Sequence, residues 1–190
     1  MIELDPKTSA LILVDLQKGV LAMPTEPRSA ADTLAAGKAL AQKFRAAGAK
    51  VVLVRVEFAE DFADALSQPV DAPSPMRGRA LPKGWSEFAD GLAEPGDLHI
   101  VKRQWGAFHG TELDLQLRRR GIATVVIGGV ATNFGVESTA RQAWERGYAV
   151  VIPEDACATL TTEMHAFAFQ RIFPRIARLT QVHDIGFPGV

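Results

Sequence analysis

Two charged side chains at the ends of apolar segments could transfer a proton. Asp15 ends the segment SALILVD, Gln17 follows two residues later, and Lys102 ends the segment LHIVK. A carboxylate at the end of a buried strand needs hydrogen bonds or a cationic partner, because desolvating it alone is costly. Because ligands of parallel sheets bind beyond the carboxyl ends of the strands, both residues are candidates for a functional site. The alternatives are that Asp15 caps the following loop and that Lys102 is solvated.

A second candidate lies in the stretch VVIGGVATNFGVESTARQAWERGY, residues 125–148. A β-branched run ends in two glycines, and a helical pattern with Val136, Ala140 and Ala143 on one face follows a short turn. Backbone N–H groups of such a turn, at a helix N-terminus, bind anions and developing oxyanions well. Residues 129–133 are therefore a candidate oxyanion site.

The elements that must position these residues alternate between strands and helices. Continuously apolar strands separated by helices predict a single α/β domain over residues 1–190. It is a doubly wound, Rossmann-like, mostly parallel six-stranded sheet with helices on both faces. The predicted strands are Ser9–Asp15, Lys50–Glu57, Leu98–Lys102, Ala123–Gly128, Ala149–Pro153 and Ile176–Thr180. The predicted helices are Ala30–Ala47, Thr111–Arg120, Asn133–Arg146 and Thr161–Phe173. Ligands of such sheets bind beyond the carboxyl ends of the strands.

Composition narrows the function classes. The net charge is −1, so no nucleic-acid footprint is present, and the apolar run at the N-terminus is too short to span a membrane. Cys157 is the only cysteine, and no secretion signal is recognisable, so we expect a cytoplasmic protein. The proline-rich stretch 67–97 is expected to be a lid, an arm toward another subunit or a solvated loop.

Several residues near strand ends are candidates for a substrate pocket. Arg55 could bind a substrate carboxylate or satisfy a buried acid, while Phe58, Trp105 and Phe108 could line an apolar pocket or belong to the core. Gln17 and Asn133 complete this set. The four histidines show no ligand spacing and the glycine turn fails the pattern G-x-G-x-x-G, so we expect neither a metal nor a dinucleotide cofactor.

Four segments together resemble the isochorismatase-like hydrolases, also called the cysteine hydrolase superfamily. They are VDLQ, K-x-x-x-x-A-F-x-G-T-x-L from Lys102, G-G-V-A-T-N and DACAT. The resemblance implies that Asp15 is the acid/base residue and Lys102 its electrostatic partner. It also implies a cis peptide bond between Val130 and Ala131, and homo-oligomers. Ala131 and residue 135 would offer the oxyanion N–H groups.

The resemblance also shows one departure, because Gly135 stands where most members carry the nucleophilic cysteine. Glycine cannot form a thioester, and Cys157 reads as a small buried hydrophobic residue rather than a substitute. Asp15 could be a general acid on a vinyl ether, which is slightly favoured, or a general base on a water in the space that Gly135 leaves. We expect a hydrolase of a small carboxylate-bearing or cyclic substrate. The alternative is a catalytically silent small-molecule-binding or assembly protein.

Overall fold

A parallel β-sheet forms the centre of the structure, a computed structural model that describes residues 1–74 and 79–189. The strands are β1 (Ile2–Glu3), β2 (Ser9–Val14), β3 (Lys50–Val56), β4 (Leu98–Lys102), β5 (Thr124–Val130), β6 (Ala149–Pro153), β7 (Cys157–Ala158), β8 (Arg178–Thr180) and β9 (Ile185–Gly186). The α-helices are α1 (Lys18–Leu21), α2 (Ala30–Ala46), α3 (Leu113–Arg119), α4 (Glu137–Glu145) and α5 (Thr162–Phe167). Among the described residues no helix combines the length and apolar character needed to cross a bilayer.

The strand order of the sheet is β4-β3-β2-β5-β6-β8, and every pair in it is parallel. This order confirms the predicted doubly wound sheet, since the six predicted strands are its six main members. The short strand β7 also pairs with β5, which makes seven strands in the sheet, and β1 pairs with β9 separately. Strand β2 lies in the middle, so its end is flanked by the ends of β3 and β5.

Two hydrophobic cores lie on the two faces of this sheet. Along β2, Ile12 and Val14 pack into one core, with residues of α3 and α4, while Leu11 and Leu13 pack into the other, with residues of α2. All six residues of β2 are buried, because helices cover both faces. The continuous apolar runs of the sequence therefore follow from burial on both sides.

The helices begin and end close to the predicted positions, with two differences. The predicted helix from Asn133 begins instead as a π-helical turn, Thr132–Val136, which continues directly into α4. The predicted last helix is divided into α5, a π turn at Ala168–Ile172 and a 3₁₀ turn at Phe173–Arg175. A π turn inside a helix often accompanies a functional site, and the first of these carries Gly135.

The proline-rich stretch 67–97 is partly packed rather than wholly solvated. Trp85 and Leu92 are buried in the core that includes α2, Ala89 is also buried, and Phe88 forms an isolated bridge with Gln17. Residues 75–78 of this predicted loop lie outside the described residues. Residues 85–89 of this stretch contact the segment that follows β2, through backbone hydrogen bonds that join Ala89 to Leu16, Glu87 to Lys18 and Trp85 to Gly19.

Candidate active site

Asp15 and Lys102 meet at the carboxyl edge of the sheet, as the ends of parallel strands must. Lys102 Nζ donates a hydrogen bond to Asp15 Oδ2 at 2.7 Å and another to the carbonyl of Gln104 at 3.0 Å. Both charged side chains are almost fully buried, with side-chain exposures of 9% for Asp15 and 2% for Lys102. Such a pair is a buried ion pair rather than the solvated lysine and loop cap of the alternative interpretation.

The environment of Asp15 makes its carboxyl group easy to protonate near neutrality. Burial raises the pKa of Asp15 from 3.8 to about 6, although the charge and hydrogen bond of Lys102 lower it. Its second oxygen, Oδ1, is buried without a hydrogen-bond partner among the described residues. Asp15 also has a positive φ of 53°, which a non-glycine residue adopts uncommonly. A strained, partly unsatisfied carboxylate is typical of a functional site rather than of a structural cap.

The turn after β5 is brought against the end of β2 by a close backbone contact. Gly129 has a φ of 130°, and a Cβ atom there would lie 2.0 Å from the carbonyl oxygen of Val14, so only glycine fits. The next peptide bond, Val130–Ala131, is cis, as the resemblance implied. These two features direct the chain from the sheet into the π turn that carries Gly135.

Gly135 lies directly beside the Asp15 carboxylate. A Cβ atom at this position would be 3.3 Å from Asp15 Oδ2, 3.0 Å from Val14 Cγ1 and 3.6 Å from the carbonyl oxygen of Trp105. A side chain at position 135 would therefore start within reach of the proton-transfer group. Two oxygen atoms, Asp15 Oδ2 and the carbonyl oxygen of Trp105, therefore lie close to the position that a side chain at 135 would take.

The segment after β4 is fastened to α4 and completes this corner. The N–H of Ala107 donates to Thr139 Oγ1 at 3.1 Å, and that hydroxyl donates to the carbonyl of Gly135 at 2.6 Å. Gln142 accepts from the N–H of Phe108 at 3.1 Å. Thr139 and Gln142 were not among the sequence-predicted site residues. A signal was available for Thr139, because it is a polar residue on the apolar face of the predicted helix.

Trp105 lies at the mouth of the site, with 62% of its surface exposed. Its ring meets the ring of Phe134 edge to face, with 4.8 Å between centroids. Trp105 lies in the segment after β4 and Phe134 lies just before Gly135, so this contact joins the segment to the π turn. Of the predicted pocket aromatics, Trp105 is thus the one whose backbone carbonyl lies near Gly135, while its ring contacts the neighbouring Phe134.

Three predicted pocket residues have other partners in the structure. Gln17 is fully buried, and its amide bonds to both backbone groups of Val56 and to the carbonyl of Trp85. Arg55 pairs at 3.0 Å with Glu57, an acid that is partly exposed rather than the buried acid of the alternative interpretation. Phe108 is 3% exposed and packs against Tyr148, so it belongs to the core and not to a pocket. Each is explained by local packing that the sequence pattern does not encode.

The two remaining pocket candidates are partly exposed. Asn133 Oδ1 accepts a hydrogen bond from Thr159 Oγ1 at 2.5 Å, which ties the π turn to the segment after β7. Phe58 lines a cavity beyond the end of β3 and stacks on Phe62 at 5.5 Å. Phe58 therefore remains a pocket residue, whereas Asn133 is engaged within the protein.

A second buried polar contact supports the π turn. Thr132, the residue after Ala131, shares a 2.9 Å hydrogen bond with His165 Nδ1, and both side chains are buried. Burial lowers the pKa of His165, so the ring is neutral near pH 7. The spacing of the histidines gave His165 no predicted role, so this contact was missed; within the described residues, no group of three or more His, Cys, Asp or Glu could hold a metal.

Cys157 lies in the core, away from this machinery. Cys157 is fully buried, and its backbone pairs in register with Gly129 in the sheet. Its thiol donates weakly to the carbonyl of Pro153 at 3.5 Å. Burial raises the pKa of the thiol to about 12. A thiol that stays protonated and inaccessible is a poor nucleophile, in agreement with its interpretation as a small hydrophobic residue.

Comparison with known proteins places this chain in one family. The Isochorismatase domain matches residues 9–184. The chain is 51% identical over 186 residues to the uncharacterized isochorismatase family protein YecD of Escherichia coli O157:H7, covering 97% of this chain and 98% of YecD. An isochorismatase family protein from Burkholderia thailandensis is 43% identical, with a TM-score of 0.91 over 96% of this chain and 95% of that one.

A more distant solved structure extends the comparison to a named amidase. N-carbamoylsarcosine amidase from Thermoplasma acidophilum is 26% identical, with a TM-score of 0.76 over 94% of this chain and 98% of that chain. The family match, the sequence identity and the structural similarity each extend over almost the whole chain. The chain belongs to the isochorismatase family of hydrolases.

Proposed function

We propose that the protein hydrolyses a small organic substrate with a water molecule that Asp15 deprotonates, without a covalent cysteine intermediate. The observation that carries this proposal is the point beside Gly135, which lies 3.3 Å from Asp15 Oδ2 and 3.6 Å from the carbonyl oxygen of Trp105. A water packed against Gly135 on this side, beyond bonding distance of its Cα atom, would face these two oxygen acceptors, and ordered waters use two to four polar partners.

The charge balance of the pair favours a base over an acid. With a pKa of about 6, Asp15 is mostly ionised at pH 7, and the Lys102 ammonium group 2.7 Å away stabilises that form. A general base works best when its pKa lies near the working pH, so this carboxylate is well matched to accept a proton. A general acid would have to hold its proton beside a cation.

The π turn supplies groups that could stabilise an oxyanion. The carbonyl of Ala131 accepts from the N–H of Phe134 and, across five residues, from the N–H of Val136, each at 3.1 Å. Because this bond spans five residues, the N–H of Gly135 precedes the regular helical ladder. We propose that the Ala131 and Gly135 N–H groups, next to the cis bond at Val130, face the substrate oxygen, as the resemblance implied.

The bond to be broken is proposed to be a carbonyl carbon–heteroatom bond. Attack by water on a carbonyl uses a base and an oxyanion site together, whereas protonation of a vinyl ether would need neither. The similarity to an enzyme named as an amidase supports this choice. Small amides and ureido compounds are therefore the first substrates to test.

The test is a hydrolysis screen followed by a pH–rate profile on the best substrate. We expect kcat/KM to rise with pH and level off above an apparent pKa near 6, because the ionised carboxylate is the active form. Asp15→Asn should lower kcat/KM by about 10²–10⁴-fold, the usual contribution of positioned proton transfer. Measuring thermal unfolding of the same variant shows whether the fold survives.

Three outcomes would contradict the proposal. A rate that falls as pH rises through 6 would show that Asp15 acts as a general acid. Binding of a screened compound without turnover, unchanged in Asp15→Asn, would favour the catalytically silent binding protein. A covalent adduct at Cys157 that forms and decays with turnover would replace the water mechanism.

We also propose that the protein forms homo-oligomers. Leu160, Met164 and Phe167 are exposed at spacings of four and three residues, so they lie on one side of α5 and the turn before it. An exposed apolar stripe is typical of a protein–protein contact. Sedimentation of the chain against Phe167→Ser tests this, and a wild-type monomer at micromolar concentration would contradict it.

A further inference from the structure

A cavity of about 550 Å³ opens beyond the end of β3. Residues 57–60 and 62 line one side of it, and residues 80–82 and 84–86 line the other. Its first lining residue, Glu57, donates its backbone N–H to the carbonyl of Lys102 at 3.2 Å. Trp85, on the far wall, accepts the hydrogen bond from Gln17. The cavity thus adjoins the segments that carry Asp15 and Lys102.

One wall of the cavity is a fixed pair of aromatic rings. Phe58 and Phe62 stack with 5.5 Å between centroids and 28° between planes. Asp64 holds the turn between them, since its carboxylate accepts from the N–H of Ala59 at 2.8 Å and from Arg103, the residue after Lys102. The turn that carries the two rings is therefore linked, through Asp64 and Arg103, to the end of β4.

The charges that line this cavity are negative. Glu57 is neutralised by Arg55 at 3.0 Å, whereas Glu60 makes no ion pair with any residue that the structure describes. No lysine, arginine or histidine is among the described lining residues. A substrate carboxylate would meet repulsion here, because its one expected partner, Arg55, is already paired with Glu57.

We propose that this cavity binds the part of the substrate remote from the scissile bond, and that it selects an apolar group carrying a positive charge. The stacked faces of Phe58 and Phe62 attract a cation through the ring quadrupole, and Glu60 adds an opposite charge at the rim. The substrate class is thus an amine-bearing compound, with an arylalkylamine as the simplest form of the recognised group. This inference rests on the proposed hydrolase function for the role of the cavity, but its binding chemistry can be tested without turnover.

The experiment titrates the full chain with benzylamine, benzyl alcohol and benzoate, three probes of similar shape and different charge. Amide chemical shifts in NMR spectra report both affinity and place. We expect benzylamine to shift the amide signals of residues 57–62 and 84–86. It should bind about tenfold tighter than benzoate, because the protein's aromatic rings and the Glu60 carboxylate both attract its ammonium group. Benzyl alcohol should fall between them.

Two variants separate the ring from the charge. Phe62→Leu keeps the apolar bulk but removes the π face, and Glu60→Gln keeps the shape but removes the charge. Each should weaken benzylamine about threefold, while Glu60→Gln leaves benzyl alcohol unchanged. Glu163→Gln, an exposed site on α5, is the matched control and should alter none of the three probes.

The results distinguish this inference from the proposed function. Benzoate binding as tightly as benzylamine, benzylamine affinity unchanged in both variants, or shifts confined to other residues would overturn the inference alone. Asp15→Asn should keep benzylamine binding because Asp15 is not among the residues that line the cavity. Benzylamine binding at this cavity in a protein that hydrolyses no substrate would overturn the proposed function and leave the inference standing.

Discussion

Positions 135 and 157 differ in what surrounds them, and the difference locates the chemistry. Gly135 has no side chain, yet Asp15, Lys102 and a turn with a cis bond converge on it. Cys157 has a thiol, yet it is sealed between the sheet and the core, where its pKa is raised to about 12. The proposed mechanism therefore depends on the buried ion pair beside Gly135 and not on the thiol of Cys157.

The surroundings of the two positions also differ in how tightly they are packed. Gly135 lies at the carboxyl edge of the sheet, where the proposed mechanism needs space for a water molecule beside Asp15. Cys157 pairs with Gly129 in the sheet and fills a packed interior, where any change leaves a void. The following variants test this contrast, beginning with the largest expected effect.

Lys102→Met tests how much the ion pair with Asp15 contributes to the stability of the fold. Without the ammonium group the Asp15 charge is buried and unpaired, so unfolding free energy at pH 8 should fall by about 3–5 kcal/mol. The deficit should shrink at pH 5, where Asp15 becomes protonated. Urea unfolding at both pH values measures this, with exposed Lys50→Met as control. Equal deficits at both pH values would contradict a charge effect.

The pH dependence of stability should show the raised pKa of Asp15 directly. Between about pH 4 and 6 the folded state keeps a proton that the unfolded state has released, so stability from this group falls as pH rises. A rise in pKa from 3.8 to about 6 corresponds to about 3 kcal/mol. Comparing wild type with Asp15→Asn isolates the effect from other carboxylates. Parallel stability curves would contradict the raised pKa.

Gly135→Ala should test the space beside Asp15 without adding a nucleophile. The new methyl group would lie 3.3 Å from Asp15 Oδ2, where it displaces the proposed water, so kcat should fall about tenfold, or about 1.4 kcal/mol. Gly186→Ala is the control, since its nearest neighbour would be 3.9 Å away.

Gly135→Cys adds a thiol at the same point. We expect iodoacetamide to modify it in the folded protein, as mass spectrometry can show, while Cys157 stays unmodified. Unchanged turnover in Gly135→Ala would exclude a water at this position, whatever the reactivity of the cysteine variant.

Cys157→Ala should have the smallest effect. Loss of one buried sulfur atom should lower the free energy of unfolding by about 1 kcal/mol, through a small cavity. Turnover should not change, because the thiol contacts none of the proposed catalytic groups. Denaturation and a kinetic assay of the same sample measure both. A tenfold loss of turnover in a folded variant would make Cys157 part of the site.

The sequence allowed the sheet and the central pair to be predicted because both depend on regular patterns. Apolar runs identify the strands, and parallel strands bring their carboxyl ends to one edge, which is why Asp15 and Lys102 meet. The cis bond at Val130–Ala131 was accessible only through resemblance, since no local pattern specifies it. Gly135 was identified as the vacant position in the same way.

The wall residues could not be assigned because their partners come from distant segments. Gln17 and Val56 lie 39 residues apart, and the contact of Gln17 with Trp85 spans 68. Phe108 follows a strand end just as Trp105 does, yet the backbone turns one ring toward solvent and the other into the core. Such outcomes depend on the tertiary path of a loop and not on residue type.

The Gln17 side chain behaves like a peptide group added to the end of the sheet. It accepts from the N–H of Val56 at 2.8 Å and donates to the carbonyl of the same residue at 3.0 Å, so one amide replaces a missing strand neighbour. Its third bond reaches the wall at Trp85. A backbone N–H that is protected by a side chain exchanges with solvent when that side chain swings away. The hydrogen-exchange rate of the Val56 amide therefore reports how often the Gln17 side chain moves away and its hydrogen bond to Trp85 breaks.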